Sequence, residues 1–464
     1  MGEPSATLPA SPLAEQATLA ASPTTGFDMK IAYITAGAAG MYCGSCMHDN
    51  TLVAALRAQG HDALLIPTYT PIRTDETDVS QQRVFFGGIN VYLQQHSALF
   101  RRTPWFLDRL LDFSWLLRWV SRFAVKTQAQ ELGELTVSML KGEHGLQKKE
   151  FEKLVQWLSA DVQPQIINLT NVLLSGMVHE VKAHSKTRLP ILGTLQGDDI
   201  FLEFLPEKYR LPALELLYKN CQEFDGFIAT SHYYADFMAK YLRIPREKID
   251  VVHPGLNLTG YGKPLGEAPR TVGVTRKLVV GYFARICPEK GLHVLVDAMQ
   301  LLKQMPGAPT CRLKVAGWLG ENNRAYFDDL VAKIRSWGWH DDFEHINCPD
   351  HASKVAFLQS LDVLSVPTTY REPKGLYVLE ALANGVPVVQ PNHGSFPELI
   401  EATGGGLLCN PEDPAHLAQV LRQILEQPEL RGQLGATGYA AVHDRFHAAA
   451  MAERTIDVYR KYLS

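Results

Sequence analysis

Short apolar runs alternate with amphipathic stretches along most of this chain. KIAYIT, at Lys30 to Thr35, has the length and composition of a buried parallel strand. A glycine-rich loop follows, then MHDNTLVAALRAQ with apolar residues at helical spacing, a turn at Gly60, and a second apolar run, DALLIP. Strand, glycine loop, helix and strand make a βαβ unit, the opening of a doubly wound sheet. The alternation resumes with FEKLVQWLSA, PQIINLTNVLLSGMVHEVKAH and LPILGTLQGDD, and FDGFIATSHYYADFMAKYLRIPREKIDVVHPGLN closes a first domain. It restarts at LVVGYFARICPEKGLHVLVDAMQLLKQ and runs through CRLKVAGWLG, FEHINC, LDVLSVPT and VPVVQ to two helices, AHLAQVLRQILEQ and TIDVYRKYL. LTGYGKPLGEAPRTVGVTR, rich in Gly and Pro and without periodicity, lies between the two series as a linker. The pattern predicts an α/β protein with Rossmann-like domains at 29–258 and 277–440, a linker at 259–276 and a C-terminal helix within 441–464. Residues 1–28, rich in Ala, Ser, Pro and Thr, read as a disordered tail without the basic and apolar regions of a secretory signal. Either Met29 is then the true start or the tail is a dispensable extension.

Composition narrows this picture. A chain of 464 residues exceeds one ordinary core, so two large domains are expected. A net charge of −4 argues against nonspecific nucleic-acid binding, which needs a basic field. Seven scattered cysteines, an odd number, suggest free thiols in a reducing, cytoplasmic setting. Cys43 and Cys46 have the spacing of a redox or metal pair, but no second Cys/His pair accompanies them, although His48 is close. Two small residues in a tight loop is the plainer reading. RRTPWFLDRLLDFSWLLRWVSRFAVK sets Trp105, Trp115 and Trp119 among leucines, but Asp108, Arg109, Asp112 and Arg118 interrupt it, so it does not span a bilayer. It reads as a helix packed in its domain or lining a cleft; the competing reading is peripheral docking at the inner membrane face through Trp105–Trp119.

The densest chemistry lies in YREPKGLYVLEALANGVPVVQPNHGSFPELIE, Tyr370 to Glu401. Glu372 and Glu380 stand eight positions apart, with Pro373 and Gly375 leading into a helical run. Proline suits a first helical position, and first-turn amides lack intrahelical partners, so they point at an anion with the helix dipole behind them. The axial rise from Gly375 to Glu380 is roughly 7.5 Å at ~1.5 Å per residue, comparable with the span from a phosphate to its ribose. Upstream, Arg285 and Lys290 flank a loop between strand and helix, where two cations would neutralise a diphosphate.

This stretch resembles the E-x7-E signature of retaining glycosyltransferases of family 4, which have the GT-B fold. The resemblance covers Met29 to Ser464 and is strongest in the second domain. It implies two facing Rossmann-like domains with a deep cleft, the nucleoside diphosphate sugar bound mainly by the second and the acceptor by the first. It implies that Arg285 and Lys290 bind the diphosphate, that Glu372 orients the sugar, that Gly375 and Leu376 give amides to phosphate, and that Glu380 holds the ribose. Gly44, in the first loop, falls on a donor-side glycine, with Cys43 a departure from the family's Gly-Gly pair. The base would be read after FEHINC, with Asn347 among the candidates from His345 to Cys348. FFGGINVYLQQ is similar to a segment shaping the acceptor side. Asn168 and Gln196 stand where relatives commonly have histidine; a glutamine still hydrogen-bonds a sugar but carries no proton. In the mechanism proposed for the family the acceptor's proton passes to the leaving phosphate, so no protein base is required. Asp198 and Asp199 are candidates for acceptor hydroxyls or for capping the helix after them. No metal and no cofactor are expected, fixed cations and a helix terminus taking the metal's place. The acceptor class (carbohydrate, lipid or small molecule) stays open, as does oligomeric state. Two rivals remain: a catalytically silent nucleotide-sugar-binding or scaffold protein, and a nucleotide-sugar epimerase on the same architecture.

Overall fold

The computed structural model describes residues 29–37, 43–81, 84, 129–185, 188–262 and 277–464. The tail 1–28, the FFGGINVYLQQ segment, the Trp105–Trp119 stretch and linker residues 263–276 lie outside the described residues.

Six strands build the first sheet: β1 (Lys30–Thr35), β2 (Asp62–Pro67), β3 (Ile166–Leu169), β4 (Ile191–Leu195), β5 (Gly226–Ala229) and β6 (Ile249–Val251). They lie in the order β2-β1-β3-β4-β5-β6, every pair parallel. Ile31 stands between Ala63 and Ile166, a register that puts its side chain in the core. The second sheet repeats the plan with β7 (Leu278–Phe283), β8 (Cys311–Ala316), β9 (Phe343–Ile346), β10 (Val363–Ser365), β11 (Val388–Pro391) and β12 (Gly406–Cys409), in the order β12-β11-β10-β7-β8-β9, again all parallel. Parallel strands with helical crossovers bury both faces, which is why the strands read as continuous apolar runs. Two such sheets with their helices make the two-domain α/β architecture known as GT-B.

The C-terminal helix Ala448–Leu463 returns to the first domain. Leu256 and Ala448 clasp the crossing: Leu256 N donates to Phe446 O at 2.9 Å and Ala448 N to Leu256 O at 2.8 Å. Met451, Ile456 and Tyr459 then join Ile31, Tyr33, Val53 and Leu56 in one core cluster beneath the helix Gly44–Ala58. The preceding helix, Pro428–Arg445, runs unbroken past residue 440, and the chain crosses between Arg445 and Ala448.

Candidate functional site

The candidate residues gather at the carboxyl ends of the strands of both sheets, where ligands bind in doubly wound folds. In the second domain, β10 ends in the loop carrying Tyr370 and Glu372, and the helix Leu376–Leu382 follows. Gly375 caps this helix in the left-handed region (φ 61), and a Cβ there would lie 2.9 Å from Leu399 Cδ1. Pro373 therefore precedes the helix instead of occupying its first position, a correction to the sequence reading. The cause is local, since Gly375 supplies the turn that starts the helix.

Glu372 is 4 % exposed and heavily engaged. Its Oε2 accepts from Lys290 Nζ at 2.7 Å, from Tyr370 Oη at 2.7 Å and from Tyr377 Oη at 3.3 Å, and Oε1 accepts from Gly375 N at 3.3 Å. Lys290 also donates to Tyr370 Oη. Burial pushes the carboxyl up, but the Lys290 charge and these donors outweigh it and hold its pKa at about 2. The loop His393–Ser395 braces the residue from behind. Ser395 N donates to Glu372 O at 2.8 Å, and a Cβ on Gly394 would stand 2.7 Å from both Glu372 N and O. Lys290 is thus ion-paired, whereas the guanidinium of the exposed Arg285, after β7, has no hydrogen-bond or ion-pair partner among the described residues.

Lys374 is the residue that sequence reasoning missed. It reaches from the second domain into the first, where Nζ donates to Ser45 Oγ and to Gln196 Oε1, both at 2.9 Å. Burial lowers its pKa, against the pull of Cys43, Asp49 and Glu372. Gln196, after β4, is held by its amide nitrogen, which donates to Asp49 Oδ1 at 3.1 Å and to Thr170 O at 3.0 Å. Asp49, fully buried and also missed, accepts further from Tyr33 Oη and Thr35 Oγ1, both at 3.0 Å, and from Thr170 Oγ1. Gln196 is therefore an amide relay between a buried carboxylate and a buried ammonium. Gly44 faces the same point: a Cβ there would lie 3.7 Å from Leu376 Cδ1 and 3.8 Å from Lys374 Cε.

Glu380 is held from two directions. Its Oε1 accepts from Lys354 Nζ at 2.8 Å and from Tyr261 Oη at 3.3 Å, and Lys354 Nζ stands 2.5 Å from Asp75 Oδ2 in the first domain. Asn347 is exposed at the carboxyl end of the edge strand β9. Two acceptor-side expectations are corrected. Both oxygens of Asp198 take backbone amides, Val172 N at 2.8 Å and Gln196 N at 3.1 Å, so the carboxylate staples two loops, with burial raising its pKa to about 6. Asn168 faces a small cavity of about 10 Å³ between the sheet and the C-terminal helix, lined also by Tyr33, Thr194 and Tyr459, rather than the cleft. Asp199 accepts from Tyr234 Oη at 2.5 Å and remains partly accessible.

The two walls are hydrogen-bonded together elsewhere. Thr230 and Ser231 hydroxyls donate to Pro373 O at 3.0 Å, and Glu398 accepts from His232 N at 2.9 Å and Tyr233 N at 3.1 Å at the start of the helix His232–Tyr241. Among the described residues no cluster of three or more His, Cys, Asp or Glu is placed to hold a metal, and no helix is long and apolar enough to cross a membrane.

Comparison with known proteins identifies the family. The family described as "Glycosyl transferases group 1" matches residues 269–441, and "Glycosyltransferase Family 4" matches residues 137–259, together more than half of the chain. The chain belongs to the group 1 glycosyltransferases. A D-inositol 3-phosphate glycosyltransferase of an Arthrobacter species is 34 % identical over 218 residues, which is 46 % of this chain and 48 % of that protein. The chain spans about half the length of this and the other D-inositol 3-phosphate glycosyltransferases it matches. Two solved structures share the fold at 18 % identity. Sucrose-phosphate synthase from Thermosynechococcus elongatus superimposes with a TM-score of 0.66, covering 93 % of this chain and 98 % of that one. HepE of Anabaena, in complex with UDP-glucose, gives 0.62, covering 93 % and 99 %.

Proposed function

We propose that this protein transfers a hexose from a nucleoside diphosphate sugar to an acceptor hydroxyl, with retention at the anomeric carbon. The observation that carries the reading is the cluster around Glu372: an ionised, buried carboxylate locked by Lys290, Tyr370 and Tyr377, with the Arg285 charge beside Tyr370. Arg285, with Lys290 behind it, takes the diphosphate and stabilises it as leaving group. The Leu376 amide meets phosphate, the Gly375 amide being taken by Glu372, and Gly44 leaves room for it on the opposite wall. Glu372 holds the sugar's hydroxyls beside the carbon at which positive charge develops, and its low pKa keeps it an acceptor there. Glu380, steadied by Lys354, takes the ribose, and Asn347 lies at the base. Gln196 acts behind Lys374, and Asp199 is the carboxylate left to the acceptor side. The acceptor hydroxyl gives its proton to the departing phosphate oxygen, so the step needs no protein base. A nucleotide-sugar donor is supported by the fold neighbour solved with UDP-glucose. A carbohydrate, lipid or small molecule serves as acceptor, and the reaction is placed in the cytoplasm.

A thermal-shift screen against UDP, GDP, ADP, CDP and TDP without added metal tests the reading. One nucleotide is expected to raise the midpoint, with about 2.7 kcal/mol of stabilisation at ~100 times its dissociation constant. No shift with any of the five overturns the donor site.

A further inference from the structure

Cys43 and Cys46 take no part in the grip on the donor set out above, yet they stand at its edge. Cys43 is the N-cap of the fifteen-residue helix Gly44–Ala58, with extended backbone (φ −118, ψ 125), and Cys46 is the third helical residue. An N-cap side chain reaches back over the first turn toward the third position, so this spacing brings the two thiols together. They are hydrogen-bonded to each other, Cys46 to Cys43. Cys46 is buried while Cys43 is partly accessible, the arrangement of an attacking and a resolving thiol. None of the other five cysteines, Cys221, Cys287, Cys311, Cys348 and Cys409, has a cysteine partner at such spacing.

Two further observations tie the pair to the cleft. Ser45, between the two cysteines, accepts the hydrogen bond of Lys374. A Cβ on Gly44, beside Cys43, would lie at van der Waals range of Leu376 and Lys374. The hydrogen bond from Cys46, together with the Lys374 charge and the first-turn amides, also favours Cys43 as thiolate against the effect of burial.

We infer that Cys43 and Cys46 form a reversible dithiol–disulfide couple that gates the donor site at the start of the helix Gly44–Ala58. The Cys43 thiolate attacks one sulfur of a low-molecular-weight disulfide such as oxidised glutathione, and the other sulfur leaves as a thiolate. Cys46 then gives up its proton, attacks the Cys43 sulfur and expels the second thiolate. Two thiols have become one disulfide, and the oxidant has become two thiols. The bond draws Cys43 onto the helix, removes the anionic thiolate near Lys374 and turns Ser45 away from the ammonium. Oxidation therefore dismantles one wall of the donor site. The gating half of this inference rests on the donor site proposed above.

The full chain is equilibrated in a series of glutathione redox buffers, quenched with acid, alkylated and digested, and the peptide carrying both cysteines is weighed. The expected peptide is lighter by two hydrogens and unalkylated at the oxidising end, while the other five cysteines carry the alkyl group. In parallel, affinities for UDP, GDP, ADP, CDP and TDP are measured on reduced and oxidised protein. A tenfold or greater weakening on oxidation, reversed by dithiothreitol and absent from Cys46→Ser, supports the gate. Should Cys46→Ser fail to fold, Cys43→Ser serves as the unoxidisable control. Alkylation of both cysteines throughout the series, or a disulfide with unchanged affinity, overturns it. A disulfide in a protein that binds none of the five nucleotides when reduced refutes the donor site and the gate together and leaves the couple standing.

Discussion

The two walls of the cleft are built on different principles. The second-domain wall is local: the Glu372 carboxylate is bound by Tyr370, Gly375 and Tyr377, two, three and five positions away, and among its side-chain partners only Lys290 comes from afar. The first-domain wall is assembled from distance. Asp49 collects Tyr33 from β1 and Thr170 and Gln196 from just past the ends of β3 and β4, separated from it by 16, 121 and 147 positions. A local wall writes its chemistry into one stretch of sequence, whereas a distributed wall shows it only after folding. The local wall also places its carboxylate beside a cation, while the distributed wall receives a cation, Lys374, with only neutral hydrogen-bond partners.

The sharpest way to break the local wall is Glu372→Gln. The amide keeps the shape but cannot balance Lys290, so sugar transfer or donor hydrolysis is expected to fall by roughly 10²–10³-fold. Nucleoside diphosphate affinity should hold or rise, because Lys290 loses its competing anion. The same variant has a pH signature. The folded pKa of about 2 lies below the ordinary 4.5, so the carboxylate's contribution to stability is complete above about pH 4.5 and is lost as pH falls toward 2. The acid limb of the stability profile should therefore flatten in Glu372→Gln. Near-normal turnover with an unchanged acid limb would remove Glu372 from the site.

The same contrast explains what the sequence could and could not disclose. Both sheets were legible because parallel strands are buried on both faces and read as apolar runs, and the Glu372–Glu380 stretch was legible because its contacts are local. Lys374 was not, since a lysine in a loop reads as solvated until the opposing domain covers it. Asp49 looked like a polar residue on an amphipathic helix, and only the packing of that helix on β1 and β3 buries it. Asn168 was misplaced for a reason strand parity reveals: it shares a face with Ile166, which packs into the cluster beneath Gly44–Ala58.

Lys374→Met tests the distributed wall. Burying an ammonium among neutral partners costs stability, as its lowered pKa shows, so the methionine variant should melt at the same temperature or higher. Nucleoside diphosphate affinity should drop about tenfold, the 1.4 kcal/mol expected of one charge-assisted contact. Loss of stability with intact affinity would instead make Lys374 a structural tie between the domains.

Asp75→Asn probes the seam where the two walls meet, and its effect should be the smallest. Asp75 belongs to the first domain and touches Lys354, which is already paired with Glu380 in the second, so removing its charge leaves the ammonium one carboxylate rather than none. That distinguishes it from breaking an isolated buried pair, and the expected cost is about 1 kcal/mol rather than the ~3–5 kcal/mol of an orphaned charge. Burial raises the Asp75 carboxyl, but His351 and Lys354 outweigh it and hold it at about 2, below the ordinary 3.8. The contribution is therefore present above about pH 3.8 and fades as pH falls toward 2. The stability difference between wild type and Asp75→Asn, measured by urea unfolding, should be constant near neutrality and shrink through that window. A difference that persists unchanged at pH 2 would assign the effect to packing at the seam instead of to charge.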